Sequence, residues 1–254
     1  MKATTTRSSA VRVRARWTNS VRRPSTWLVG AALALFLLGA SVVPLTIPAF
    51  TRIVAARTSL GQEAGLSQER MLQIAEAVRH FVVDTDAPPL PTTVDGRAGF
   101  DEAAQSHLLD VRRVLMFSRF ASGALAIVLM LGLAYEVARK RTNRIADVLA
   151  AGAVCSVALV AACAVAAFSD FESFFTAFHG LFFSAGTWTF PYDSLLIQAF
   201  PEPFWTTAGA VWGGLVLAEA GLLVVGAWAL KRPQAGAAGH VSGSGLEGPA
   251  ATKA

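Results

Sequence analysis

Val148–Phe168 reads "VLAAGAVCSVALVAACAVAAF", 21 residues without a charge. A helix of about 20 apolar residues is long enough to cross a bilayer. The chain carries three further runs of this kind: Thr26–Leu45, Phe120–Ala138 and Ala208–Leu230. Composition agrees, with 54% hydrophobic residues, 15% charged residues and a mean hydropathy of +0.49 over 254 residues. An average soluble domain is about 25% charged, so a soluble enzyme is excluded. The expectation is an all-α integral membrane protein with four transmembrane helices.

Charge placement gives the orientation. Lys2, Arg7, Arg12, Arg14, Arg16, Arg22 and Arg23 precede the first run, and "RKRTNR" (Arg139–Arg144) joins the second run to the third. Lys231, Arg232 and Lys253 follow the fourth. With four spans all three segments face one side. The positive-inside rule makes that side the cytoplasm, so the chain is N-in and C-in. The net charge of +5 and pI of about 9.8 are thereby a topology signal rather than a sign of nucleic acid.

Residues 1–25 form a basic cytoplasmic arm and 26–232 the four-helix membrane domain. Residues 233–254, rich in Gly, Ala and Ser and including His240, are expected from composition to form a disordered cytoplasmic tail. The first span reads as an uncleaved anchor, because its apolar run is too long for a signal peptide and no A-x-A site follows. Cys155 and Cys163 lie eight residues apart on one helix, about 12 Å by helix rise, too far to bridge. Gly209 and Gly213 make a small-xxx-small pair. Glu219 lies mid-span, a costly place for a carboxylate, and hydrogen bonding to Ser156 or another span would support it.

Two extracytoplasmic segments remain: a small cap, about 49–119, and an interfacial loop, about 169–207. In the cap, "LSQERMLQIAEAVRHFVV", beginning at Leu66, puts Leu72, Ala75, Val78 and Val82 on one helical face, with Ser67 as N-cap. Asp101 then caps a helix expected to run unbroken into the second span, with Arg119 snorkelling at the headgroups. This helix holds His107, Asp110 and Val114 at i, i+3 and i+7, and Asp110 with Arg113 at i and i+3. Read blandly, this is an ion-pair ladder worth a few tenths of a kcal/mol. The loop carries Phe171, Phe174, Phe175, Phe178 and Phe182 at helical spacing, an interfacial aromatic belt. The belt leaves His179 unexplained. An imidazole among such rings is expected to be neutral and hydrogen-bonded.

The two histidine segments, "SHLLDVRRV" (Ser106–Val114) and "FHGLFFSAGTW" with "FPYDSLLIQAFPEPFW" (Phe178–Trp205), resemble a bacterial four-span membrane family. That family includes the lipoprotein intramolecular transacylase. The resemblance implies an acyltransferase of the bacterial plasma membrane whose active face is extracytoplasmic. It would act on a diacylglyceryl lipoprotein and membrane lipid, moving the sn-2 acyl chain to the N-terminal cysteine amine and giving the lyso form. It implies His107 and His179 as catalytic residues and needs no cofactor or metal. Asp110 and Asp193 are candidate orienting groups. Phe175, Phe178, Phe182 and Trp188 are candidates for a substrate groove. The alternatives are a zinc site completed by a carboxylate, a bis-histidine haem, and a non-catalytic lipid or lipoprotein binder.

Overall fold

The computed structural model describes residues 23–232. The remainder of the basic arm and the 233–254 tail, with His240, lie outside the described residues. Four helices are long and apolar enough to cross a membrane. They are α1 (Pro24–Ala40, continued by a 3-10 turn at Val43–Thr46), α4 (Glu102–Ala138), α5 (Thr142–Ser169) and α8 (Glu202–Lys231). Between them lie α2 (Pro48–Thr58), α3 (Gln68–Val83), α6 (Phe171–Gly180) and α7 (Leu195–Ala199). The described residues depart from helix in a small antiparallel hairpin, β1 (Thr93–Val94) and β2 (Arg97–Ala98). Asp95 and Gly96 make its turn with φ of 49° and 80°, a region where Gly is free and Asp is tolerated.

α5 is the middle of the membrane bundle, with α1 and α8 packed along it and α4 leaning mainly on α1. Between α1 and α5 the backbones come close: a Cβ on Gly30 would lie 2.7 Å from Ala151 Cβ and 2.9 Å from Gly152 N. Small residues allow such contact in lipid, where packing rather than apolar burial drives helix association. The Gly209–Gly213 pair does not do this work. Gly213 faces Val160, and Gly209 meets nothing within 4 Å.

Polar groups join the spans. Trp212 Nε1 donates to the Leu38 carbonyl at 3.0 Å, and Ser41 Oγ donates to Glu219 Oε2 at 3.0 Å. Glu219 is thus held by the end of α1, not by Ser156, whose buried hydroxyl has no hydrogen-bond partner among the described residues. At the far end of the bundle Lys231 Nζ meets Asp147 Oδ1 at 2.7 Å.

The segment from Pro48 to the first turns of α4 forms the cap. Ser67 Oγ accepts from Arg70 N, and Asp101 Oδ1 accepts from Ala104 N at 2.8 Å. These are the two N-caps expected, and α4 does run without a break for 37 residues, about 55 Å. The buried stripe of α3 is Met71, Ile74, Ala75, Val78 and Phe81. Ala75 and Val78 were on the face read from sequence, whereas Leu72 and Val82 only flank it. The cap core joins this stripe to Leu90, Val94 and Phe100 and to Leu108 of α4. It also takes in Leu195, Leu196 and Ala199 of α7, so residues from both expected outer segments share one core. Arg119 does not end free. It reaches the Val83 carbonyl and Thr46 Oγ1 at 3.4 and 3.3 Å, tying the cap to the top of α1.

Candidate functional site

His107 lies in the second turn of α4, where its neighbour Leu108 enters the cap core. His179 lies in the last turn of α6, a helix begun by Asp170, whose side chain accepts from Ser173 N. The two imidazoles, 72 positions apart in sequence, stack with centroids 6.3 Å apart and planes 29° apart.

Aromatic rings enclose the pair. Phe175 and Trp188 lie 3.9 and 4.7 Å from His179, centroid to centroid. Phe178 meets it edge-on at 5.8 Å. Phe183 contacts both histidines, at 5.0 and 5.6 Å, and Phe190 lies 5.6 Å from His107. Phe175, Phe178 and Trp188 therefore all border His179. Phe182 does not touch either imidazole. α6 ends at Gly180, so Phe182 lies past the helix and packs on Phe178 and Phe183. Phe183 and Phe190 were missed. Phe183 follows His179 by four residues, as Phe175 precedes it by four, and that spacing was a readable signal. Phe190 has no periodic signal. It is brought in by a loop whose turn at Gly186 has φ of 82°, a conformation that favours glycine.

Neither orienting carboxylate contacts its histidine. Asp110 Oδ1 binds Arg113 at 2.6 Å, the bland ladder. Asp193 is exposed and offers its backbone carbonyl to Arg97 at 3.1 Å. His179 Nδ1 instead lies 2.9 Å from the Phe175 carbonyl. A carbonyl only accepts, so the neutral ring carries its proton on Nδ1 and keeps a lone pair on Nε2. His107 Nδ1 and Trp188 Nε1 are both buried without a hydrogen-bond partner among the described residues. Orphaned buried polar atoms are uncommon and often functional.

Burial pushes the His107 pKa from 6.5 down to about 4. The nearby charge of His179 adds to the shift, and Asp110 partly opposes it. Burial also lowers the His179 pKa, against the pull of the Phe175 carbonyl. Both imidazoles are therefore neutral at neutral pH. Among the described residues no group of three or more His, Cys, Asp or Glu side chains converges in a way that would hold a metal ion. Two neutral imidazoles, one with a free lone pair, set among aromatic rings can move a proton and stabilise a developing oxyanion.

A family model described as "Lipoprotein intramolecular transacylase Lit" matches residues 27–205. A solved structure of the membrane integral lipoprotein intramolecular transacylase Lit from Bacillus cereus superposes with a TM-score of 0.68. That alignment covers 81% of this chain and 94% of that one, at 17% identity. A second structure of the same protein, with a histidine-to-arginine substitution, gives 0.65 at 16% identity, covering 86% and 96%. These likenesses are of fold. A protein of unknown function from Aquifex aeolicus is 27% identical over 111 residues, 44% of this chain. That match spans about half (48%) of the curated relative's length.

Proposed function

The chain belongs to the lipoprotein intramolecular transacylase family, and on that premise we propose that it transfers an acyl chain within a diacylglyceryl lipoprotein. The observation that carries the reading is the stacked pair His107–His179, 6.3 Å apart among aromatic rings. The sn-2 ester carbonyl and the N-terminal cysteine amine sit together between the two imidazoles. His179 Nε2 takes a proton from the amine as it attacks the ester carbon. His107, neutral because it is buried, donates its N–H to the tetrahedral oxyanion, and Trp188 Nε1 is a second donor. The ester C–O bond then breaks while His179 returns the proton to the glycerol oxygen. The amide C–N bond remains, with a free sn-2 hydroxyl, and no other reactant is consumed.

Holding ester and amine at attack distance supplies much of the acceleration, so no activated serine or cysteine is required. Phe175, Phe178 and Trp188 border the acyl chain. Asp110 acts on His107 through its charge alone. The protein is multi-pass, and we place the cap and both histidines on the extracytoplasmic face of a bacterial plasma membrane. The support is the basic residues gathered at the opposite end of the spans.

The test is mass spectrometry of lipoprotein N-termini from cells making only diacyl lipoproteins. Wild-type chain is expected to yield N-acyl, S-monoacylglyceryl peptides, and His107→Ala and His179→Ala to abolish them. Diacyl peptides left unchanged despite good membrane expression would instead favour a non-catalytic lipid or lipoprotein binder.

A further inference from the structure

At the end of the bundle opposite the histidines, three span ends surround a cavity of about 410 Å³. Arg23 comes from the start of α1, and Lys140, Arg141 and Arg144 from the turn into α5. No side chain caps α5. The amides of Thr142 and Asn143, which also line the cavity, donate to no backbone carbonyl among the described residues. The first amides of a helix and its dipole favour an anion.

The local carboxylates do not neutralise this cluster. Asp147 forms the wall and is engaged by Lys231 at 2.7 Å. Glu136 is shared by Arg144 at 2.9 Å and Arg141 at 3.7 Å. Among the described residues neither Arg23 nor Lys140 has a carboxylate within ion-pair distance. Lys140 is also held at φ 54°, a left-handed conformation uncommon for a non-glycine residue. Among the described residues the cavity therefore joins two cations without a carboxylate partner, Arg23 and Lys140, to the first amides of α5, at the end of the spans.

We propose that this cavity binds the phosphate of an anionic phospholipid headgroup, the lipid's chains lying along the adjoining spans. Bound there, the phosphate bridges α1 to the α4–α5 turn. The inference is independent of the acyl-transfer reading, and its test does not use activity.

Full-length protein in detergent micelles is unfolded thermally with added phosphatidylglycerol, phosphatidylcholine or inorganic phosphate. Phosphatidylglycerol is expected to raise the wild-type midpoint by several degrees and the other two to do little. Arg23→Gln/Lys140→Gln is expected to need about 30-fold more phosphatidylglycerol for the same rise, since the two cations near a lipid surface together contribute about 2 kcal/mol. The exposed Arg52→Gln, at the cap end, should respond as wild type. An equal response from the double variant, or an equal rise with phosphatidylcholine, would overturn the proposal. An equal rise with inorganic phosphate would mean a free-anion site and overturn the lipid. Should the double variant not fold, photo-crosslinkable phosphatidylglycerol on wild type decides. Labels are expected on peptides holding Arg23 or Lys140–Arg144, and labels elsewhere overturn the proposal.

Discussion

His107 has a pKa near 4 in the folded chain and 6.5 as its ordinary value, and the difference has a sign that experiment can read. Between those values the unfolded chain takes up a proton that the folded site refuses. Stability is therefore lost as pH falls through that window and is fully present above it. In a histidine-labelled NMR titration, His107 is expected to stay neutral at pH 5.5. Asp110→Asn removes the charge that raises its pKa and should lower it further. His179→Ala removes the charge that lowers it and should raise it. A His107 resonance titrating near 6.5 would contradict the buried geometry. Trp188→Phe keeps the ring but deletes the unpartnered Nε1–H. Loss of one such donor is expected to lower the turnover rate by about 10²- to 10³-fold, with the stack of His179 on the ring retained. His179 stood out because an imidazole has no cheap place in a greasy loop, whereas His107 was singled out by the family resemblance, its own spacing reading as a plain ion-pair ladder. The hydrogen-bonding partner of His179 was not readable, because sequence spacing does not say that the Phe175 carbonyl lies nearer to His179 than any carboxylate.

At the level of elements, the four spans and the unbroken α4 were plain from long apolar runs and from the Asp101 cap. Which glycines let helices touch was not plain, because a small-xxx-small spacing does not reveal which face meets a neighbour. Gly30 and Gly152, on different helices, have no sequence relation to each other. Gly30→Leu is expected to destabilise the bundle by about 1–3 kcal/mol, as overpacking does, and Gly209→Leu to cost far less. Melting curves in detergent compare the two directly. The hairpin at Thr93–Ala98 was hidden for another reason. Its strands are two residues long, too short to show any alternation.

Across the whole molecule, the cap and the loop between the third and fourth spans read as separate segments, yet Leu195, Leu196 and Ala199 complete the cap core. Arg97 strengthens the join, donating to the Ala64 carbonyl on one side and to the Asp193 carbonyl on the other. Long-range pairings of this kind leave no local pattern. They also divide the ring pair evenly, since His107 belongs to the half of the chain built on α1 and α4, and His179 to the half built on α5 and α8. Neither half holds both imidazoles by itself, and the proposed acyl transfer needs both. Cut in the turn after Arg139 and made as two polypeptides, each would be inert. Co-produced, they are expected to regain acyl transfer to the extent that they find each other in the bilayer, measured by the same lipoprotein peptides. The chemistry would then serve as a gauge of assembly, reporting how well two independently inserted hairpins dock.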